Sequence, residues 1–107
     1  MDENKEPKYI LHGVNEDLIV SDNEVVLQSQ GILGWLVHGQ FSSKVIPIST
    51  IQSVFIKKAT IWDNGALRFY VEGEPGKEIK NSISITIEQN RLAEEIKSYI
   101  ESLLKCR

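Results

Sequence analysis

Apolar residues follow two different periods along this chain. Before Glu88 they alternate with polar residues or are interrupted by Gly and Pro, whereas after Asn90 they recur every three or four positions. The later stripe consists of Leu92, Ile96, Tyr99, Ile100, Leu103 and Leu104. Alternation is typical of strands, and the three-to-four spacing is typical of an amphipathic helix. The pattern therefore predicts a run of strands that is closed by one helix over residues 91–107.

The strand-like part divides into six segments, and residues 9–11 are a weaker candidate for a seventh strand. The six are residues 18–20, 25–27, 44–48, 51–59, 67–71 and 82–88. The residues predicted to face inward from the last two segments are Leu67, Phe69, Val71, Ile83, Ile85 and Ile87. Short connections favour antiparallel pairing. We expect a partly open barrel or two packed sheets, with the helix covering one open end.

Turn-forming residues separate these segments. The sequence Ser-Asp-Asn-Glu at residues 21–24 predicts a hairpin turn. Asp-Asn-Gly at residues 63–65 predicts a tight hairpin, because Asn-Gly readily supplies the positive φ angles that such a turn needs. Pro47 indicates an edge position or a strand end. Asn90 is predicted to be the N-cap of the helix.

The composition is that of one ordinary globular domain. The 107 residues are 41% hydrophobic and 25% charged, and the net charge of −3 argues against a general nucleic-acid binder. The single cysteine, Cys106, cannot form an internal disulfide, so we expect a reducing, cytoplasmic compartment. Residues 1–8 lack a signal-peptide pattern and are predicted to be a flexible tail before a single domain at residues 9–107. No apolar run reaches the roughly 18–20 residues of a membrane span.

Several turn and core motifs occur in a characteristic order. They are Gly13-Val14-Asn15, Val25-Val26-Leu27, the stretch from Lys44 to Val54 with its pattern Ile-Pro-x-x-x-Ile-x-x-Val, and Asn64-Gly65 before Leu67-Arg68-Phe69. This order resembles a family of small bacterial pleckstrin-homology-like (PH-like) domains of unknown function, although Glu16 stands where that family usually has a second Gly. The resemblance covers about residues 12–104. It implies a seven-stranded antiparallel bent barrel or sandwich, capped by one C-terminal helix, that binds proteins or lipids or builds oligomers and is not an enzyme.

The segment from Gly31 to Gly39 is the main candidate for a contact surface. It places five apolar residues among three glycines: Ile32, Leu33, Trp35, Leu36 and Val37. An exposed apolar loop of this kind would dock on a partner, a second copy or a membrane interface, where Trp is favoured. Alternatively, these side chains fold inward and complete a small core. The sequence does not separate the two interpretations.

Trp62, Lys57 and Lys58 lie just before the Asp-Asn-Gly turn. A Trp at a hairpin tip is a candidate contact residue. The alternative, which is favoured, is that it lies over its own hairpin or over the end of the barrel. The two lysines belong to residues 25–62, which contain basic residues and no acidic ones. One interpretation is a mildly positive face for an anionic membrane or an acidic partner, and the other is a pair of ordinary solvated lysines.

No catalytic, metal or cofactor motif is present. His12 and His38 have no ligand spacing with other metal-binding residues, and no nucleophile motif occurs, so we expect no catalytic residue, no metal and no cofactor. A phosphoinositide ligand needs Lys and Arg from the first hairpin. It is disfavoured, because the turn predicted for that hairpin is Asp22-Asn23-Glu24, whose carboxylates would repel the phosphates. The sequence predicts a non-enzymatic module for protein–protein contact, including self-association. The alternative is peripheral membrane or lipid binding through the segment from Gly31 to Gly39 and nearby lysines.

Overall fold

The computed structural model describes residues 7–29, 43–73 and 81–106. These residues form two antiparallel sheets and one C-terminal helix. The four-stranded sheet consists, in spatial order, of β1 (Tyr9–His12), β2 (Glu16–Val20), β3 (Glu24–Ser29) and β4 (Ser43–Pro47). The three-stranded sheet consists of β5 (Ile51–Lys57), β6 (Gly65–Val71) and β7 (Ser82–Ile85). The 3₁₀ turns Ile48–Thr50 and Ile87–Gln89 precede β5 and helix α1 (Asn90–Lys105), respectively. The predicted class, mainly β with one terminal helix, is confirmed.

Inward-facing residues of both sheets form one shared core. The fully or almost fully buried strand residues are Leu11, Leu18, Val20, Val25, Leu27, Ile46, Ile51, Val54, Leu67, Phe69, Ile83 and Ile85. In most strands they alternate with less buried residues, as the two-residue period of a pleated sheet requires, whereas in β5 the pairing shifts register between Ile51 and Ser53, so Ile51 and Val54 are three positions apart. The inward orientation predicted for Leu67, Phe69, Ile83 and Ile85 is therefore confirmed, and Val71 packs at the margin of the same core.

Helix α1 covers this core with the apolar stripe that the sequence shows. Ala93, Ile96 and Ile100 are fully buried. The residues packed against the core at its margin are Leu92, Tyr99, Leu103 and Leu104. The helix contacts β5 of one sheet and β1 of the other, together with both 3₁₀ turns. It thus holds the two sheets together, as the prediction of a covering helix requires.

The predicted barrel is not closed within the described residues, where the two ladders are separate sheets. They approach each other at a corner between β1 and β2. There Val14 N donates a hydrogen bond of 2.9 Å to Ser84 O of β7. A Cβ atom added to Gly13 would lie 2.5 Å from the same oxygen and 2.7 Å from Ile83. Gly13 therefore permits the close backbone approach that joins the sheets.

The last strand ends earlier than the alternation predicts. β7 stops at Ile85, and Ile87 lies exposed in the following 3₁₀ turn, so its predicted inward orientation is wrong. The turn is held by hydrogen bonds from Thr86 N to Gln89 Oε1 and from Gln89 N to Thr86 O, both 2.9 Å long. The Gln89 side-chain amide also donates to the carbonyl of His12. These contacts redirect the chain from the sheet into the helix.

Asn90 is the first residue of α1 and not its N-cap. The N-cap is Gln89, which makes no side-chain capping bond. The predicted tight hairpin at residues 63–65 is also wrong in detail, because neither Asn64 nor Gly65 has a positive φ angle. Instead, residues 58–64 form a longer loop between β5 and β6. Both corrections concern the same corner of the molecule.

Candidate interaction site

Large apolar side chains of the described residues are exposed in three places. Two lie side by side in the β5–β6 loop, where Ile61 is 76% and Trp62 84% exposed. Ile87, at 44%, follows β7 at the same end of the three-stranded sheet, since Ile85 pairs with Gly65. The others lie on outer sheet faces: Ile10 (47%), Val45 (53%) and Phe55 (48%). The loop residues are therefore the most exposed apolar side chains among these six.

The loop that carries Ile61 and Trp62, here named the Trp62 tip, is held by hydrogen bonds of its backbone and of the Thr60 hydroxyl. Thr60 N donates to Asp63 O at 2.8 Å. The backbone N–H groups of Trp62 and Asp63 both donate to Thr60 Oγ1, at 3.1 and 3.0 Å. Such Thr-centred turns restrict the local backbone. The two apolar side chains thus extend into solvent from an ordered turn.

The base of the tip is fixed to the start of α1. Ala59 N donates to Asn90 Oδ1 at 2.8 Å, and Asn90 Nδ2 donates to Ala59 O at 2.9 Å. Lys58 Nζ lies 3.0 Å from Glu94 Oε2, although both side chains are substantially exposed and the pair adds little stability. A Cβ atom on Gly65 would lie 2.2 Å from the Lys57 carbonyl oxygen. Gly65 is thus required for close packing beneath the loop.

Three of the predicted contact residues meet at this loop. Trp62 is exposed, as one of its two interpretations requires, and Lys57 is exposed at the end of β5. Lys58 is exposed but paired with Glu94. The remaining predicted contact residues, Ile32, Leu33, Trp35, Leu36 and Val37, lie outside the described residues. The prediction that they form a contact surface therefore stays a prediction.

An open groove between β1 and α1 was not predicted from the sequence. It has a volume of about 560 Å³ and is lined by Tyr9, Arg91, Glu94, Glu95, Ser98 and Tyr99. The two tyrosine rings meet edge to face, with centroids 5.5 Å apart and an interplanar angle of 61°. Burial raises the pKa of Tyr99, and the charges of Asp22 and Tyr9 add to this effect. Because Tyr9 and Tyr99 are distant in sequence, no local motif marks this groove, here named the tyrosine groove.

A second apolar surface lies on the outer face of the four-stranded sheet. Ile10 pairs with Ile19, Ile19 with Val26, and Val26 with Val45, so the four form one row across the sheet. The two central members are only partly exposed. On the next row of β1 and β2, His12 Nδ1 lies 2.8 Å from Asp17 Oδ1. Side chains on adjacent strands thus cover part of the apolar row.

The fold of these elements matches that of a known structure. The chain is similar to the crystal structure of a DUF1696 family protein with a pleckstrin-homology domain from Shewanella loihica PV-4. The match covers 97% of this chain and 83% of that protein's chain, with a TM-score of 0.64 and 15% sequence identity. The chain has a PH-like fold. No family model matches the sequence, and no curated protein matches it.

In this PH-like domain, both hairpin turns of the first three strands lack basic residues. The β1–β2 turn contains Gly13, Val14 and Asn15, and the β2–β3 turn contains Asp22 and Asn23. Asp22 and Asn23 therefore belong to the second hairpin, and their predicted place in the first hairpin is wrong. Phosphorylated headgroups are bound by Lys and Arg, and neither turn offers one.

Metal-binding side chains do not converge in the described ranges 7–29, 43–73 and 81–106, where no group of at least three His, Cys, Asp or Glu could hold an ion. Within the same ranges, the helix is too short and too polar to cross a membrane.

Proposed function

We propose that this PH-like domain is a non-catalytic protein-binding module, and that the Trp62 tip is its main contact. PH-like folds are typically binding modules, although a fold alone does not fix a function. The observation that carries the proposal is the exposure of Trp62, 84%, on a turn held by hydrogen bonds. Aromatic residues dominate binding hot spots, and a rigid contact loses little entropy on binding.

The charges around the tip support a protein partner over an anionic membrane. Each unpaired cation contributes about 1 kcal/mol at a strongly anionic surface. Lys58 is paired with Glu94, and Asp63 follows Trp62 directly in the chain. The two lysines thus share this region of the chain with two carboxylates, and the chain as a whole carries a net charge of −3. A surface with both signs of charge around an apolar centre is typical of protein interfaces.

The test compares Trp62→Ala with Phe55→Ala, because Phe55 is another exposed aromatic of the same β5–β6 unit. Proteins from the native cell that bind the wild-type domain are identified, purified and titrated against both variants. We expect Trp62→Ala to weaken binding of at least one such protein by about 10-fold or more, and Phe55→Ala to have little effect. Equal affinity for wild type and Trp62→Ala would exclude the tip as the main contact.

Sedimentation with vesicles tests the membrane alternative. Vesicles rich in anionic lipid are used at low salt, where electrostatic attraction is least screened. We expect the domain to stay in the supernatant. If the wild-type domain pellets with the vesicles and the Trp62→Ala variant does not, the tip binds a lipid surface, and the proposal of a protein partner is wrong.

A further inference from the structure

We infer that the outer face of the three-stranded sheet binds single-stranded RNA, with bases stacked on Phe55 and Tyr70 and phosphates contacted by Lys57 and Arg68. This activity is separate from the proposed function of the Trp62 tip. It requires that the four side chains share one face of the sheet, that they are accessible, and that no acidic side chain lies among them.

The strand register places the four side chains on one face. The residues that alternate with them along β5 and β6 are buried in the core: Val54, Leu67 and Phe69. Phe55 pairs directly with Arg68, and Tyr70 pairs with Ser53. Phe55 and Tyr70 are therefore diagonal neighbours, with Cα atoms about 7–8 Å apart. Lys57 lies two positions after Phe55 on the same strand, so it points to the same side of the sheet.

A ligand in solution has access to these side chains. Phe55 is 48% exposed, and Lys57 is exposed at the end of β5. Arg68 and Tyr70 lie on β6, the central strand of the sheet, and are partly exposed. Ser84 of β7 is exposed on the same face, because the residues on either side of it are buried. Aromatic, cationic and hydroxyl groups are thus accessible together.

Acidic residues lie outside this sheet. Strands β5, β6 and β7 contain the cations Lys57 and Arg68 and no acidic residue. The charged residues of the four-stranded sheet are mostly acidic: Glu16, Asp17, Glu24 and Lys44. Asp63 and Glu72 come before and after β6, beyond its two ends. The net charge of −3 argues against RNA binding over the whole surface, but it does not describe this face.

Aromatic rings beside cations on an open sheet have the chemistry that single-stranded RNA requires. Unpaired bases stack on aromatic side chains, and sheets with exposed aromatic residues bind RNA in this way in other folds. A duplex keeps its bases stacked on one another and offers none to Phe55. The exposed hydroxyls of Ser53 and Ser84 can donate to and accept from the 2′-hydroxyl group, which DNA lacks. The face therefore favours a short single strand of RNA.

Two phosphate contacts make this binding weak and dependent on salt. For a single strand, the logarithm of the binding constant falls with the logarithm of salt concentration by about 0.7 for each contact, so we expect a slope of about −1.4. The measurement is the fluorescence anisotropy of a dye-labelled oligouridylate of about ten nucleotides, at salt concentrations from about 20 to 200 mM.

Aromatic variants test the stacking of bases. Phe55→Leu and Tyr70→Leu each remove a ring but keep an apolar side chain, and we expect each to raise the dissociation constant about 10-fold. Phe55→Tyr keeps a ring at the same position and should stay within about 2-fold of the wild type. Circular dichroism confirms that each variant is folded.

A pair of arginine variants tests the phosphate contacts. Arg68→Gln should weaken binding and make the salt slope shallower by about 0.7. Arg91→Gln is the matched control, since it removes the same charge from α1, where the Arg91 side chain is 92% exposed. We expect the control to leave the affinity within about 2-fold and the slope unchanged.

The remaining outcomes overturn the inference in distinct ways. Unchanged anisotropy with about 500 µM domain at about 20 mM salt excludes RNA binding and leaves the Trp62 tip to be judged by its protein partners. Equal effects of Arg68→Gln and Arg91→Gln, or no effect of the two leucine variants, would show general attraction and not a site on this face. Oligodeoxyuridylate that binds as tightly as oligouridylate overturns the choice of RNA. Pelleting with anionic vesicles that Phe55→Leu abolishes would assign the face to a membrane surface.

Discussion

The Trp62 tip and the apolar row of the four-stranded sheet both expose hydrophobic side chains, but they do so in different ways. In the row, Ile19 and Val26 are flanked by neighbours on adjacent strands and are only partly exposed. At the tip, Ile61 and Trp62 are 76% and 84% exposed, and the loop is held by its backbone together with the side chains of Thr60 and Asn90. Row residues thus pack on their own sheet, whereas we expect the Ile61 and Trp62 side chains to contribute little to stability.

This difference shows why exposure alone does not identify a contact surface. A surface Val on a strand is common and stabilises the sheet through cross-strand packing. A Trp on an ordered turn has no cross-strand neighbours of this kind, so its truncation should leave folding almost unchanged. The following variants test this contrast, from the largest expected effect to the smallest.

Gly65→Ala should cause the largest loss, about 3 kcal/mol of unfolding free energy. The added Cβ would lie 2.2 Å from the Lys57 carbonyl oxygen and 2.5 Å from Ala59 N, which are backbone atoms that cannot move independently. The measurement is urea denaturation. Gly73→Ala is the matched control, since Gly73 has φ +82° with open space around it. Strain there should cost only about 1–2 kcal/mol. Equal losses in the two variants would show that the base of the tip is not tightly packed.

Asn90→Ala should cost about 2 kcal/mol, because Ala59 is buried and would lose partners for both its N–H and its C=O. Thermal or urea unfolding measures this loss. Asn64→Ala, at an exposed position of the same loop, serves as the control and should stay within about 0.5 kcal/mol. If Asn90→Ala is equally neutral, the loop does not depend on the helix.

Val26→Ala should cost about 1 kcal/mol, because it removes packing against Ile19 and Val45 on either side. Trp62→Ala should change stability by less than about 0.5 kcal/mol, although it removes a much larger side chain. Urea denaturation of both variants gives the comparison. A larger loss in Trp62→Ala would mean that Trp62 packs on its own loop, which would remove the basis for its role in binding.

Tyr99→Phe should have the smallest effect, and only at alkaline pH. Burial, Asp22 and Tyr9 raise the pKa of Tyr99 above its ordinary value of 10.0. Because the pKa is raised in the folded state, folding favours the protonated hydroxyl. The stability that Tyr99 contributes in this way is fully present below pH 10 and is lost as the pH rises through the raised pKa. The wild type should therefore lose stability relative to Tyr99→Phe above pH 10. Parallel curves for the two proteins would contradict this.

The strands and the helix could be predicted because their signals are local. Backbone geometry alone places Leu67 and Phe69 on one face of a strand, and Ile96 and Ile100 on one face of a helix. The error at Ile87 arose because alternation continues in the sequence after the chain has turned. That turn depends on Thr86 and Gln89, whose contacts are weak signals in sequence.

The site was only partly predictable because its contacts are distant in sequence. Trp62 stood out by its position before a turn, but Gly65 was assigned to that turn for the wrong reason. It is needed for close packing and not for a positive φ. Asn90 looked like an N-cap, since nothing local shows that its amide binds Ala59 thirty-one residues earlier. Tyr9 is equally remote from Tyr99.

The amide of Asn90 also sets an order of events during synthesis. Ala59 and its loop leave the ribosome well before the residue that fixes them, so a nascent chain of this domain carries an untethered tip. Domains gain their structure as translation proceeds from the N-terminus. The arrival of helix α1 therefore fixes the base of the Trp62 tip, which no shorter chain can hold in this way.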